Sequence, residues 1–220
     1  MRTFSHRHEA GKRLADECAR RCEVRGEDLL ILAIPRGGVV IGYEMVRRLK
    51  GELDVIIPRK IGAPYQPELA VGAVTENGTL LVNEEMVSQG TATREYIEAE
   101  AQRQLQEVRR RGQLYRQGRQ RASMAGRTVI VVDDGIATGF TMQAALKSVR
   151  EEGPKHLLVA VPVAPSQSLE PLREWADDVI CLHTPSLFYA VGQWYEDFAQ
   201  VEDEDVLRLL NEVECGRKAP

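Results

Sequence analysis

The chain has 220 residues and a formal net charge of −4, with 43% hydrophobic and 28% charged residues. This length suits one α/β domain, so we treat 1–220 as a single domain with a core to about residue 183 and a C-terminal part over about 184–220. The charge gives no global attraction to nucleic acid or an anionic membrane, and apolar runs such as 29–34 are too short to span a bilayer. No apolar signal segment begins the chain, so we expect a cytoplasmic protein.

The first half of the chain predicts helices and strands in alternation. Ser5 is a candidate cap for a first helix with Ala10 and Leu14 on its buried face. The elements that follow are an apolar strand over 27–34, a break at Pro35 and the pair Gly37-Gly38, a helix over 39–49 that Gly51 ends, a strand over 54–58, and a Pro- and Gly-rich loop over 61–68.

The second half continues the alternation. Asn77-Gly78 between two apolar runs predicts an antiparallel hairpin. The later elements are a long helix over 93–118, a strand over 128–132, a helix from Thr141 to Gly153-Pro154, a strand over 156–163, a short helix over 168–175, a strand over 179–182 and a helix after 202. We therefore predict an α/β, Rossmann-like fold: a mainly parallel five-stranded sheet flanked by helices, with an antiparallel hairpin and a small C-terminal hood.

The segment VIVVDDGIATGFT, residues 129–141, carries the clearest chemical signal. A strand buried on both faces ends in Asp133 and Asp134, and small and hydroxyl residues follow before a helix begins. Backbone N–H groups at a helix N-terminus bind phosphate, and carboxylates accept hydrogen bonds from vicinal ribose hydroxyls. The pattern predicts a sugar-phosphate site; a Mg²⁺ site of the response-regulator kind and an ordinary strand-end turn are the alternatives.

This segment resembles the motif with which type I phosphoribosyltransferases bind 5-phosphoribosyl 1-diphosphate (PRPP). The resemblance implies the type I phosphoribosyltransferase fold, with Asp133 and Asp134 on the ribose 2′- and 3′-hydroxyls. Gly135 stands where many members carry a branched apolar residue, so we expect a looser backbone there. The loop that wraps the 5′-phosphate would comprise Ala137, Thr138, Gly139, Phe140 and Thr141.

The PRGG segment, residues 35–38, follows the first strand, where the resemblance places the pyrophosphate of PRPP. Gly37 and Gly38 let the backbone approach an anion, and Arg36 adds a fixed charge. A cis or strained peptide is frequent in this loop of the family, and we expect it between Arg36 and Gly37. A plain tight turn is the alternative.

The stretch PRKIGAP after the second predicted strand resembles the mobile loop of orotate-type enzymes. Lys60 is our first and Arg59 our second candidate for contact with the diphosphate. Neighbouring side chains point to opposite faces of a strand, so only one of them is expected to face the site. A surface basic pair is the alternative.

Aromatic residues concentrate over 186–198, although only 5% of the chain is aromatic. We consider this segment a hood for the base, with packing of the tail or an oligomer contact as an equally open alternative. The candidates for base contact are Phe188, Tyr189, Trp194 and Asp197. The arginine-rich run over 109–121 could contact RNA, but such runs more often pair with acidic neighbours, so no nucleic-acid partner is expected.

The resemblance implies phosphoribosyl transfer, in which a nitrogenous base or related nucleophile attacks C1′ of PRPP and pyrophosphate leaves. Asp133, Asp134, Lys60 and Arg36 are the catalytic candidates. Mg²⁺ would neutralise the leaving charge, and Asp133 and Asp134 could reach it through ribose hydroxyls or water. We expect a homodimer that uses PRPP and a small-molecule base, without a membrane partner. A non-catalytic PRPP-sensing regulator that could bind RNA, and a diphosphate hydrolase, are the alternatives.

Overall fold

A parallel sheet forms the centre of the molecule, which a computed structural model describes over residues 3–21 and 26–218. The strands of these residues are β1 (Leu29–Ala33), β2 (Glu52–Val55), β3 (Arg59–Ala63), β4 (Gln66–Val74), β5 (Leu80–Val82), β6 (Thr128–Val132), β7 (His156–Val163) and β8 (Asp178–His183). Five of them form one sheet in the order β2-β1-β6-β7-β8, and every neighbouring pair is parallel. The predicted five-stranded parallel sheet is therefore confirmed.

Helices cover both faces of this sheet. They are α1 (Arg7–Arg21), α2 (Gly37–Leu49), α3 (Glu84–Ser88), α4 (Arg94–Arg116), α5 (Phe140–Glu151), α6 (Ser166–Leu169) and α7 (Asp203–Lys218). Ile31 and Ile130 belong to an apolar cluster shared with α1 and α2, while Leu32 and Val131 belong to a second cluster shared with α5. All five residues of β6 are buried for this reason. Since β6 is the central strand, its C-terminal end lies in the middle of the edge at which the parallel strands end.

A separate antiparallel sheet has the order β3-β4-β5. The predicted hairpin is confirmed, with Gly78 at φ 92° in the turn between β4 and β5. The loop predicted over 61–68 is wrong, because β3 extends to Ala63 and β4 begins at Gln66. The Pro- and Gly-rich sequence is typical of a loop and did not indicate this pair of strands, whose register shifts at Gly62.

Two predicted helix caps are wrong, although α2 ends at Leu49 as predicted. The left-handed residue that ends α2 is Lys50, at φ 61°, rather than Gly51, whose added Cβ would lie 2.8 Å from the carbonyl oxygen of Leu29. Helix α1 begins at Arg7, and the Nδ1 atom of His6, rather than the Ser5 hydroxyl, accepts the N–H of Glu9. The second strand, predicted over 54–58, lies at Glu52–Val55, in register with β1.

The start of the described chain pairs with residues 194–197. Phe4 pairs with Tyr195 in a parallel bridge, and the backbone N–H of Asp197 donates to the carbonyl of Ser5. Helix α7 packs on α2 and α4. Among the helices of residues 3–21 and 26–218, we find none that combines the length and the apolar character needed to cross a membrane.

Candidate active site

An acid corner forms where β6 ends; we use this name for Asp133, Asp134, Gly37 and Gly38. The backbone N–H of Asp134 donates to Asp133 Oδ1 at 2.8 Å, which fixes the first carboxylate. Asp133 lines a cavity of about 220 Å³. The other residues around this cavity are Gly135, Ile136, Ala137, Thr138, Gly139, Thr141, Met142 and Val191. The structure thus brings Asp133 together with most of the predicted phosphate loop.

Neighbouring elements hold the phosphate loop in shape. The N–H of Ile136 donates to the carbonyl of Val163 at 2.9 Å, and the Ser168 hydroxyl donates to the carbonyl of Ala137 at 2.6 Å. Gly139 caps α5 at φ 81°, a conformation that favours glycine. The first N–H groups of a helix have no intrahelical partner. The start of α5 therefore offers backbone donors to an anion in the cavity.

The position of Gly135 is packed rather than loose. A Cβ atom placed on Gly135 would lie 2.5 Å from Val191 Cγ1 and 3.1 Å from Val163 Cγ1. Val191 comes from the predicted hood and occupies the space beside the backbone that a side chain at this position would need. The expectation of a looser backbone is therefore not supported by the packing.

The PRGG segment lies directly against the two carboxylates. A Cβ atom on Gly38 would lie 2.9 Å from the carbonyl oxygen of Val132, and one on Gly37 would lie 1.9 Å from Asp134 Oδ2. A cis peptide is present, but it joins Pro35 to Arg36. The predicted position, Arg36-Gly37, is therefore wrong by one residue, because Gly37 is already the first residue of α2.

The basic candidates pair with carboxylates away from this cavity. Arg36 Nη1 lies 3.2 Å from Glu202 Oε2 and 3.8 Å from Asp203 Oδ1. Lys60 Nζ donates to the carbonyl and the carboxylate of Glu68, at 3.0 Å each. Arg59 has a different partner, Glu107 of α4, at 3.8 Å. The prediction that Arg59 and Lys60 face opposite sides of the strand agrees with these contacts, and their roles stay predictions.

Asp134 is not among the residues around the cavity and pairs with Arg7 of α1. Arg7 Nε lies 2.7 Å from Asp134 Oδ2, and their side chains are 11% and 14% exposed. The Arg7 guanidinium also stacks 3.7 Å from the centre of the Phe198 ring and donates to the carbonyl of Ala199. The Tyr195 hydroxyl donates to the backbone carbonyl of Asp134 at 2.6 Å. The sequence analysis missed Arg7, since no local pattern connects it with a residue 127 positions away.

The two carboxyls have unusual pKa values. Burial, followed by the charge of Asp134, raises the pKa of Asp133 well above its ordinary value. Burial also raises the pKa of Asp134, and the Arg7 guanidinium opposes that rise. Burial raises the pKa of Tyr195 too, which keeps its hydroxyl a hydrogen-bond donor at neutral pH. The corner therefore concentrates groups whose charge is costly to bury.

The aromatic segment does not gather its candidates around this cavity. Trp194 packs against His183 and Phe188, with ring centres 4.8 and 6.4 Å away. Tyr189 is 85% exposed, and Asp197 accepts the N–H of Ala199. From residues 186–198 only Val191 lines the cavity with Asp133. The alternative in which these rings pack the tail describes Trp194 better, and contact with a base stays a prediction.

Many arginines of the arginine-rich run over 109–121 form ion pairs with carboxylates of the same chain. Arg116 is buried and binds Asp54 and Glu76. The pairs Arg110–Glu107, Arg111–Glu107, Arg119–Glu214 and Arg121–Glu152 use four more guanidinium groups of this run. Arg110 and Arg111, which both pair with Glu107, lower the pKa of Glu107 to about 2. This arrangement matches ion pairing within the fold, the more common role of such a run.

The parallel sheet, the acid corner and the loop before α5 define an α/β protein with a candidate anion site at the carboxyl ends of its strands. The chain belongs to the phosphoribosyl transferase family, because the family model described as a phosphoribosyl transferase domain matches residues 6–198.

Two curated relatives carry the same family name, and solved structures share the fold. Proteins of two Mycobacterium tuberculosis strains, each named "putative phosphoribosyl transferase", are 39% identical over 211 residues, which is 96% of this chain and 47% of theirs. The chain thus spans about half the length of these curated relatives. The crystal structure of TT1426 from Thermus thermophilus is 46% identical, with a TM-score of 0.81 over 96% of this chain and 99% of that one. AQ2163 from Aquifex aeolicus shares the fold at 12% identity, with a TM-score of 0.51 over 81% of this chain and 74% of that one.

Proposed function

We propose that this chain binds PRPP and transfers its 5-phosphoribosyl group to a nitrogenous base or related nucleophile, releasing pyrophosphate. The observation that carries the proposal is the cavity at the end of β6. It brings the Asp133 carboxylate and the N-terminus of α5 to the same space, with Thr138 and Thr141 beside them. A sugar phosphate needs an acceptor for its hydroxyls and donors for its phosphate, and this cavity offers both.

Each part of the site has a task in this proposal. The loop before α5 holds the 5′-phosphate through backbone N–H groups and the hydroxyls of Thr138 and Thr141. Asp133 accepts hydrogen bonds from the ribose hydroxyls. The PRGG segment and Lys60 contact the diphosphate. Lys60 can leave Glu68 at little cost, since the Glu68 side chain is 99% exposed and solvent weakens the ion pair.

Mg²⁺ fits this site as an ion that arrives with the diphosphate. Within residues 3–21 and 26–218, no three His, Cys, Asp or Glu side chains form a metal cluster. Protein sites for Mg²⁺ commonly supply one or two carboxylates while the substrate phosphates and water supply the other ligands. Asp133, beside the phosphate loop, suits such a role. When bound, Mg²⁺ would neutralise charge on the departing pyrophosphate.

The chemical step breaks the bond between C1′ and the diphosphate oxygen, which keeps the electron pair, and forms a bond from C1′ to the nucleophile. This step develops positive charge on the ribose, as glycosidic cleavage does. The Asp133 carboxylate near the ribose would stabilise that charge. Asp133 acts in its ionised form, which the hydrogen bond from the N–H of Asp134 favours and which burial opposes.

Calorimetric titration with Mg²⁺-PRPP, followed by an assay of pyrophosphate release over a panel of bases, tests the proposal. We expect binding by the wild type and at least about a tenfold loss of affinity in Asp133→Asn. Asp16→Asn, at an exposed position of α1, is the matched control and should bind like the wild type. No binding of PRPP would overturn the proposal. Binding without pyrophosphate release from any base would also overturn the transferase and favour a PRPP-sensing regulator.

A further inference from the structure

The two neighbouring carboxylates of the acid corner face different surroundings. Asp133 lines the 220 Å³ cavity, whereas Asp134 is not among the residues around it. Asp134 is instead directed at Arg7, with 2.7 Å between Arg7 Nε and Asp134 Oδ2. One carboxylate is therefore available to a ligand, and the other is already bound by the protein.

Asp134 also lies against the start of α2. Its Oδ2 and Cγ atoms are 1.9 and 2.6 Å from the position of a Cβ on Gly37, so this carboxylate rests on the Gly37 backbone. A negative charge beside a helix N-terminus is stabilised by the helix dipole. Gly37 is part of the PRGG segment, to which the proposed function assigns the diphosphate. The carboxylate of Asp134 thus connects Arg7 to the diphosphate loop.

Arg7 itself is fixed from two further sides. Its guanidinium stacks on Phe198 at 3.7 Å, and its Nη1 atom donates to the carbonyl of Ala199 at 2.8 Å. The hydroxyl of Tyr195 holds the backbone of Asp134 from the same segment. Helix α1 and residues 195–199 therefore enclose the Arg7–Asp134 pair.

We propose that Arg7 is a positioning residue that, through the carboxylate of Asp134, holds the PRGG segment in place for the diphosphate. This inference rests on the proposed function, which supplies the ligand. Removal of one partner leaves the other charge buried without compensation, which is costly and displaces the surviving side chain. The displaced group lies against Gly37, so the diphosphate loop moves while the cavity beside Asp133 keeps its shape.

Two fragments of PRPP separate these roles: ribose 5-phosphate and Mg²⁺-pyrophosphate, each titrated by calorimetry. We expect Arg7→Met and Asp134→Asn each to weaken the binding of pyrophosphate about tenfold, and Arg7→Met to change the binding of ribose 5-phosphate less than about threefold. Asp133→Asn should show the reverse pattern. Arg7→Lys, which keeps the charge, should restore most of the pyrophosphate affinity. The double variant Arg7→Met/Asp134→Asn should be no weaker than either single variant, because the two residues act as one unit.

Arg20→Met is the matched control on α1, since Arg20 pairs with Glu17 and is 70% exposed. It should bind both fragments like the wild type. If Arg7→Met or Asp134→Asn binds pyrophosphate as tightly as the wild type, the inference is overturned. Equal loss of both fragments in Arg7→Met without rescue by Arg7→Lys would also overturn it, by making Arg7 a purely structural residue. If Arg7→Met does not fold, Asp134→Asn and Arg7→Lys still decide. A wild type that binds neither fragment contradicts the proposed function itself.

Discussion

The acid corner and the antiparallel sheet both carry candidate PRPP contacts, but they hold them in opposite ways. In the acid corner, backbone and carboxylate atoms lie within 3.1 Å of the space where a Cβ on Gly38 would stand. In the antiparallel sheet, Lys60 pairs with Glu68, whose side chain is 99% exposed. The same predicted site therefore combines a rigid, enclosed part with a part whose contacts are exchanged easily.

This difference has an energetic meaning. A group enclosed by packed neighbours transmits any change of volume or charge to the fold. An exposed ion pair contributes little to stability, because solvent already satisfies its members. Substitutions in the acid corner should consequently alter both the free energy of unfolding and binding, whereas substitutions at Lys60 should alter binding alone.

The largest change in the free energy of unfolding is expected for Gly38→Ala. The new methyl group would lie 2.9 Å from the carbonyl oxygen of Val132 and 3.0 Å from the Cα of Asp133, and neither backbone atom can move without disturbing β6. We expect a loss of about 3 kcal/mol in the free energy of unfolding, measured by urea denaturation. Gly216→Ala in α7 is the control, since nothing lies within 4 Å of its added Cβ. Equal stability of the Gly38 variant and this control would contradict the enclosed character of the corner.

The parallel sheet was the most predictable part of the fold. The bounds predicted for β6 and β7 are the observed ones, because each strand is a continuous apolar run that must be buried on both faces. The pair β3 and β4 was not predictable over 61–68. Its pairing depends on contacts far away in the sequence, such as the hydrogen bond from the Tyr96 hydroxyl to the carbonyl of Gly62.

In the candidate site, too, the parts that depend on local sequence were predictable and the parts that depend on tertiary packing were not. The phosphate loop could be read from residues 135–141, because its glycines, hydroxyls and helix start are contiguous. Arg7 could not, since it meets Asp134 only after α1 has packed against the sheet. The hood was predicted from its aromatic residues, yet the side chain it gives to the cavity is the aliphatic Val191. Composition shows where rings cluster, but tertiary packing decides which side chain faces the ligand.

For Asp133→Asn we expect an increase in the free energy of unfolding, smaller than the loss expected for Gly38→Ala. The pKa of Asp133 is raised in the folded protein, so the native state keeps a proton that the unfolded chain releases. The wild type therefore loses stability as pH rises above the ordinary aspartate value of about 4. The variant avoids this loss and keeps an oxygen for the N–H of Asp134. We expect it to be about 1 kcal/mol more stable at pH 7, as is common when a costly functional group is removed.

Urea denaturation between pH 4 and 7 checks this expectation. The difference in unfolding free energy between variant and wild type should grow as pH rises. Asp16→Asn, which removes an exposed carboxylate, should stay within about 0.5 kcal/mol of the wild type throughout. A variant less stable than the wild type at pH 7 would mean that the Asp133 charge is compensated in the fold, and the acid corner would then resemble the antiparallel sheet.

The smallest change in stability is expected at the antiparallel sheet, for Lys60→Met and Glu68→Gln. Each variant removes one member of the exposed pair, so each should unfold within about 0.5 kcal/mol of the wild type. The two variants should differ in their affinity for Mg²⁺-pyrophosphate. Lys60→Met removes a charge that is proposed to contact the ligand, and it should weaken binding about tenfold because hydrogen bonds to charged groups are the strong ones. Glu68→Gln keeps the ammonium group, removes its competitor and should bind at least as tightly as the wild type. If both variants weaken binding alike, the ion pair itself would be the functional unit, and the proposed easy exchange of Lys60 between Glu68 and the diphosphate would be wrong.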